Sequence, residues 1–375
     1  MLDLDRIRPA MERLFTVNLG VSKEEKVLVI CDRPSGTSPS PKREELRRIA
    51  REIAEIGLSF CKASYVEYIE TGCHGAEPPL EAWKAAFGEM AISALSGSGF
   101  LRPLLSKEIG EDELRTVSEM LKVYREDVVD AVIALPWFST THTRFRSLLT
   151  DVFGTRYASM PLFDPEMFLG SMDVDWDEVA RRTKAIGEAI RGAKEAHIKS
   201  PDGTDLTLSI EGREVWLDTG ILRERGKFGN LPAGEAFIAP VEGSASGRIV
   251  VRWAPERPLK EPVRMDVREG KVVSISGEKD FCEELLRIFR SIPGSNVVAE
   301  LGIGTNPKAS RLDNILEAEK VLGTVHIALG DNSNFGGKSV AMFHEDFVIT
   351  EPTLTFNWSD GKGLTIIEGG RICNL

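Results

Sequence analysis

The periodicity of the chain changes near Lys199, and this change constrains the fold more than any other feature of the sequence. Before it, short apolar runs alternate with segments of helical spacing. KVLVIC (26–31) leads into the turn-rich PSGTSPSP and then KREELRRIAREIAEIG, where Leu46, Ile49, Ile53 and Ile56 recur at helical spacing with Gly57 at the end. ASYVEYIE, DAVIALPWF and TRYASMP read as further strands, and EDELRTVSEMLKVYRE as a helix between them. Strands alternating with helices imply βαβ units and a parallel sheet covered on both faces. The expectation is an N-terminal α/β domain over residues 1–192, ending in the helix WDEVARRTKAIGEAIRGAKEA.

After Lys199 the period becomes two. SPDG (200–203) is a turn, and TDLTLSI and REVWLDTG alternate apolar with polar residues. RIVVRW, VRMDV and KVVSIS follow, the last two joined across Arg268-Glu269-Gly270 as a hairpin, and TLTFNW-SDGKG-LTIIEG is another. Helical spacing returns in FCEELLRIFRSI and near RLDNILEAEKVL. Residues 193–375 are therefore expected to form a strand-rich α+β domain. Two domains also suit a chain of 375 residues, which exceeds what one core usually serves.

Composition narrows the partners. A net charge of −11 argues against a nucleic-acid surface, which needs a basic stripe. Five cysteines at irregular spacing, without a C-x-x-C pair, suit reduced thiols better than a disulfide framework. No stretch approaches the roughly 20 apolar residues of a membrane helix. The opening MLDLDRIRPAMERLF interleaves charges with Leu2, Leu4, Ile7, Met11 and Leu14, as an amphipathic helix does and a signal-peptide core does not. These features together lead us to expect a cytoplasmic protein without membrane or nucleic-acid partners.

The chemistry-bearing residues gather in the second half. His326 sits in the apolar run GTVHIALG, and His344 and Asp346 in SVAMFHEDFVIT. Residues i and i+2 of a strand project to one face, so His344 and Asp346 can serve one metal. Glu300 lies in the apolar NVVAELGIG and Glu235 in NLPAGEAFIAP, where an ionised carboxylate is expensive unless paired or metal-bound. Two histidines and three carboxylates in apolar surroundings suit a pair of divalent cations such as zinc, cobalt, manganese or magnesium. Several other segments carry no such chemistry. DNSNFGGKS (331–339) lacks the first glycine and the following helix of a P-loop. GSASG (243–247) has Ala245 in place of a nucleophilic serine, GIGTNP (302–307) lacks a third glycine, Cys73-His74 neighbours the loop-like GAEPP, and His142 follows the strand DAVIALPWF, where it could face a cleft but suits a structural role better.

IKSPDGTDLTLSIEGREVWLDTG, GNLPAGEAFIAP, AELGIGTNP, GTVHIALG and the H-x-D of FHEDFVI occur in an order that resembles the thermophilic metallo-aminopeptidases typified by aminopeptidases T and S, over roughly residues 197–350. The resemblance implies a homodimeric aminopeptidase acting on peptides through two divalent cations. It puts the metal ligands at Glu235, Glu300, His326, His344 and Asp346, with Glu300 the bridging ligand or proton acceptor. Where such peptidases carry a tyrosine seven residues after the histidine of H-I-A-L-G, this chain has Ser333. Ring-opening dihydroxypyridine dioxygenases are similar in fold, and their single ferrous ion would need only His326, His344 and Asp346.

Overall fold

A computed structural model describes residues 2–36 and 40–374. They form two compact units: residues up to Asp173 together with Gly220–Pro232, and Val174–Thr219 together with residues from Ala233 onward.

The first unit opens with α1 (Leu4–Arg13), capped by the Asp3 carboxylate and burying Ile7, Ala10 and Met11. The strand β1 (Lys26–Arg33) buries Val27 to Cys31 completely, as a central parallel strand must. α2 (Pro41–Gly57) follows. Ser40 caps it by accepting from the Arg43 N–H at 3.3 Å, and Pro41 occupies the first turn, where a missing N–H costs nothing. Loss of such a cap costs about 1 kcal/mol. Leu46, Ile49, Ile53 and Ile56 are buried, as their spacing requires. β2 (Lys62–Ile69) then pairs with β1, and α3 (Leu80–Phe87), α4 (Glu89–Gly97), α5 (Leu101–Leu105) and α6 (Glu111–Leu121) precede β3 (Ala131–Ala134). After α7 (Arg144–Ser147) comes β4 (Arg156–Ser159). Asp32, near the end of β1, is 2% exposed and fully engaged. It accepts from the Trp137 N–H at 2.9 Å and the Phe138 N–H at 3.5 Å, and pairs with Arg43 at 3.1 Å.

The chain then enters the second unit through α8 (Trp176–Ala189), β5 (Glu195–Lys199), β6 (Asp205–Ser209) and β7 (Val215–Asp218). It returns to the first unit with β8 (Phe228–Asn230), which completes the all-parallel sheet β2-β1-β3-β4-β8. The expected boundary at residue 192 therefore moves. Trp176, Val179, Ala180 and Ile186 of α8 are buried in the second unit, where the helix packs on β7, so the unit begins at Val174. The helix is also shorter than its sequence suggested. It stops at Ala189, Gly192 takes a left-handed φ of 73°, and Glu195–Lys199 pairs as a strand.

In the second unit β9 (Glu235–Ile238), β10 (Ser246–Ala254), β11 (Arg257–Arg268) and β12 (Lys271–Ser276) lead to α9 (Lys279–Ser291). β13 (Val298–Gly304), α10 (Ile315–Ala318), β14 (Val325–Gly330), β15 (His344–Ile349), β16 (Thr353–Asn357), β17 (Gly363–Glu368) and β18 (Arg371–Ile372) follow. Two sheets result, β12-β11-β10-β6-β5-β16-β17-β18 and β15-β14-β13-β9-β7. One core joins them: Ile198, Leu206, Leu208, Ile249 and Val251 of the larger sheet cluster with Ile238, Leu301, Ile303, Ile327 and Phe347 of the smaller. At about 25 cal/mol per Å² of apolar surface removed from water, this shared face is the main stabilising term of the unit. The opposite face of the smaller sheet is left for chemistry.

Candidate metal centre

Strand register brings the acids and histidines together. β13 lies between β9 and β14: Gly304 stands opposite Glu235, Gly302 opposite Phe237 on one side and His326 on the other, and Glu300 opposite Ala328. Across the next pairing, Ala328 faces Asp346 and Gly330 faces His344. Glu300, Ala328 and Asp346 thus form one row over three strands, while the alternate residues Leu301, Ile327 and Phe347 enter the core.

Glu300 reaches this face through a bulge. In an unbroken strand Val298 and Glu300 would share a face, yet Val298 is in the core. The ladder slips between these two residues and reverses the alternation. The glycine at 302 is equally local in purpose. A Cβ there would collide with the His326 ring, so only glycine lets that imidazole lie across β13.

All five residues singled out from the sequence meet here. His326 Nε2 lies 3.3 Å from Glu300 Oε1, 3.4 Å from Glu235 Oε2 and 3.9 Å from Asp346 Oδ1. His344 Nε2 lies 3.6 Å from both Glu300 Oε2 and Asp346 Oδ2. Two further residues join them. Glu319 completes the first of two groups whose ligand atoms fall within 4.8 Å of one another, Glu235–Glu319–His326; the second is Glu300–His344–Asp346. Lys320, with no exposed side-chain surface, holds Glu235 Oε1 at 2.8 Å and also bonds Glu319 Oε1.

Sequence reading missed Glu319 and Lys320 because RLDNILEAEKVL has helical spacing, which gives no sign that these two charges turn inward. The helix α10 spans only Ile315–Ala318, and the turn after it carries both charges inward. The available signal was a Glu-Lys pair between Ala318 and Val321-Leu322, a place where charge is costly without partners.

The groups fit a cation. Glu235 Oε2, Asp346 Oδ1 and His326 Nδ1 are buried without a hydrogen-bond partner among the described residues. Burial pushes Glu235, Glu319 and Asp346 above the usual carboxylate range. It also opposes charge on the histidines, but Glu300 and Asp346 beside His326, and Asp346 and Glu300 beside His344, outweigh it and raise both imidazoles to about 9. Without a cation the pocket balances its acids with protons. A metal would displace them.

His344 Nδ1 donates to the Asp331 carbonyl at 2.8 Å, which leaves Nε2 to face Glu300 and Asp346 as a ligand would. The loop after β14 is pinned by Asn332, whose side-chain N–H donates to the Ala299 carbonyl at 3.1 Å, within the bulge itself. Phe335 stands edge-on to His344 (6.1 Å between centroids) and to Phe237 (5.4 Å), forming an aromatic flank. Ser333 Oγ donates to the Asp331 carboxylate at 3.1 Å. The other candidates belong to the first unit: Cys73 is exposed, and His74 Nδ1 accepts from the Ser139 N–H at 3.0 Å.

A family model described as NicX: 2,5-dihydroxypyridine 5,6-dioxygenase matches residues 116–374, well over half the chain. The chain belongs to this family. NicX relatives include the 2,5-dihydroxypyridine 5,6-dioxygenase of Pseudomonas putida strain KT2440, 23% identical over 198 residues, which cover 48% of this chain and 56% of that protein. Aminopeptidase AmpS of Bacillus subtilis strain 168 is 24% identical over 199 residues, 45% of this chain and 47% of its own. The chain thus aligns with about half the length of the curated relatives it matches. In fold it resembles the dihydroxypyridine dioxygenase structure from Pseudomonas putida KT2440 (TM-score 0.69, 18% identity, 100% of this chain and 99% of that one). It also resembles AmpT from Thermus thermophilus (TM-score 0.61, 17% identity, 99% of each). The aminopeptidase resemblance is therefore shared with a NicX membership that the sequence reading held only as an alternative. Both sets of relatives are enzymes. Among the described residues no helix is long and apolar enough to cross a membrane.

Proposed function

We propose that the chain is a metal-dependent hydrolase that removes amino-terminal residues from peptides, using two divalent cations. One observation carries this reading. The two histidines fall into different ligand groups, His326 with Glu235 and Glu319 and His344 with Glu300 and Asp346, and Glu300 lies between the two, within 3.6 Å of both imidazoles. A single ferrous centre would need both imidazoles on one ion.

Cations held by Glu235, Glu319 and His326 and by Glu300, His344 and Asp346 would polarise a carbonyl and acidify a water. The residues supply the rest. Glu300 reaches both histidines through its two oxygens and is placed to take the proton of the attacking water and return it to the departing amine. The Asp331 carbonyl holds the His344 tautomer. His344, 35% exposed, marks the side from which substrate enters, with Phe335 beside it. A homodimer that narrows this approach would favour exopeptidase action; light scattering of the purified chain tests it, and a monomer would remove that steric basis.

Family membership favours a second reading, iron-dependent opening of a dihydroxylated pyridine ring with His326, His344 and Asp346 as ligands. One experiment separates the two. Chelator-stripped protein is reloaded with cobalt, zinc or manganese and tested without oxygen on aminoacyl amides and dipeptides. In parallel, ferrous protein is tested for oxygen uptake with 2,5-dihydroxypyridine. Anaerobic cleavage that disappears in Glu300→Gln is the expected result. Oxygen consumption with no cleavage by any metal would replace the hydrolase with the oxygenase.

A further inference from the structure

We propose that Lys320 is a built-in counter-charge that makes the two cation positions unequal, so that Glu300–His344–Asp346 fills first and Glu235–Glu319–His326 fills later and more weakly. The inference rests on the two-group reading above and goes beyond it by assigning an order.

The argument begins with where the ammonium is. Lys320 bonds one oxygen each of Glu235 and Glu319, and both acids belong to the same ligand group. It bonds none of the three residues of the other group. A dication entering the first group must share its carboxylates with a fixed positive charge, whereas one entering the second meets only acids and an imidazole. At the few ångströms involved, like charges in a dry pocket repel strongly.

The lysine has nowhere else to go. Its side chain is wholly buried, its backbone N–H donates to the Glu317 carbonyl at 2.9 Å, and its carbonyl accepts from the Asn306 N–H at 2.9 Å. The turn that carries it is anchored in turn by Glu317, whose carboxylate accepts from the Ser310 N–H at 2.7 Å. Asp218 adds negative charge on the β7 side and helps hold the ammonium there. The arrangement also explains how so many acids share one pocket before metal arrives: a resident cation already neutralises part of it.

The test is a cobalt titration of the chelator-stripped full chain, followed by calorimetry and by visible absorption of the bound ion. The native chain should bind two ions in steps at least about tenfold apart in affinity, with the tighter step lost in Asp346→Asn and the weaker in Glu235→Gln. Lys320→Met should strengthen the weaker step by tenfold or more and close the gap, while Lys320→Arg, which keeps the charge, should preserve it. Lys320→Gln serves if the methionine variant does not fold. An unchanged weaker step in a folded, charge-free variant would overturn the proposal. If the native chain binds only one ion at millimolar cobalt, the two-cation reading fails by itself. Appearance of a second ion in Lys320→Met would then still support the lysine's role, and its non-appearance would refute that role too.

Discussion

Two aspartates, Asp32 buried in the first unit and Asp346 largely covered in the second, show how differently the units treat a carboxylate. Asp32 in the parallel sheet receives two backbone N–H groups and a guanidinium, and every charge there has a partner. Asp346 is also enclosed by protein, yet one of its oxygens has no partner among the described residues, and its neighbours are other acids and two raised imidazoles. The first arrangement is complete without a ligand. The second is complete only with protons or a cation, and this separates a structural acid from a site acid.

Exchanging the two roles gives the largest effects. Asp346→Asn should lower cation affinity by more than about 100-fold and remove activity while leaving the metal-free melting temperature unchanged or higher, since it relieves repulsion. Asp32→Asn should do the reverse, keeping full metal content while losing about 1–3 kcal/mol of stability, because an amide cannot accept from both the Trp137 and Phe138 N–H groups and Arg43 keeps only Glu70 as its counter-ion. Metal analysis and thermal melts of both variants check the contrast; equal destabilisation by the two would dissolve it.

Gly302→Ala sharpens the point without touching a ligand. Its methyl group would displace the His326 ring, so we expect cation affinity to fall by about 30-fold, at a cost of about 1–3 kcal/mol in stability. Retention of native affinity would show that the ring tolerates another position.

The pH dependence should differ between metal-free and loaded protein. Histidines raised to about 9 bind more protons in the folded than in the unfolded state, so they stabilise the metal-free fold fully below pH 6.5 and lose that contribution as pH rises through 9. The raised carboxylates act in the same direction at lower pH. The metal-free melting temperature should therefore fall from pH 6.5 to 9.5. Cation affinity should rise over the same interval, by about tenfold per pH unit for each proton displaced. Calorimetry in buffers of different ionisation enthalpy counts those protons, and a count of zero would contradict the protonated pocket.

The smallest effect belongs to the aromatic flank. Phe335→Ala should lower kcat/KM about fivefold, mainly through KM, with metal content unchanged.

Much of this was legible in the sequence, for reasons that can be named. Short apolar runs placed Glu300, His326, His344 and Asp346 on strands, and the apolar company of Glu300 and Glu235 marked them as acids needing partners. The change in texture near Lys199 separated the parallel strands from the antiparallel ones except for β8, which lies beyond it and pairs in parallel with β4. What stayed hidden depends on tertiary context. The bulge that turns Glu300 away from Val298 follows from pairing with β14. The helix α8 belongs to the second unit because of what its apolar side touches, which spacing alone cannot say. Glu319 and Lys320 fit a surface helix equally well until the chain turns them inward.

Anomalous diffraction from cobalt-loaded crystals tests the two-cation centre most directly. Two peaks about 3.5–4 Å apart are expected, one bound by His326 and the other by His344. A single peak bound by both imidazoles would contradict the hydrolase and move the site to ring-opening chemistry.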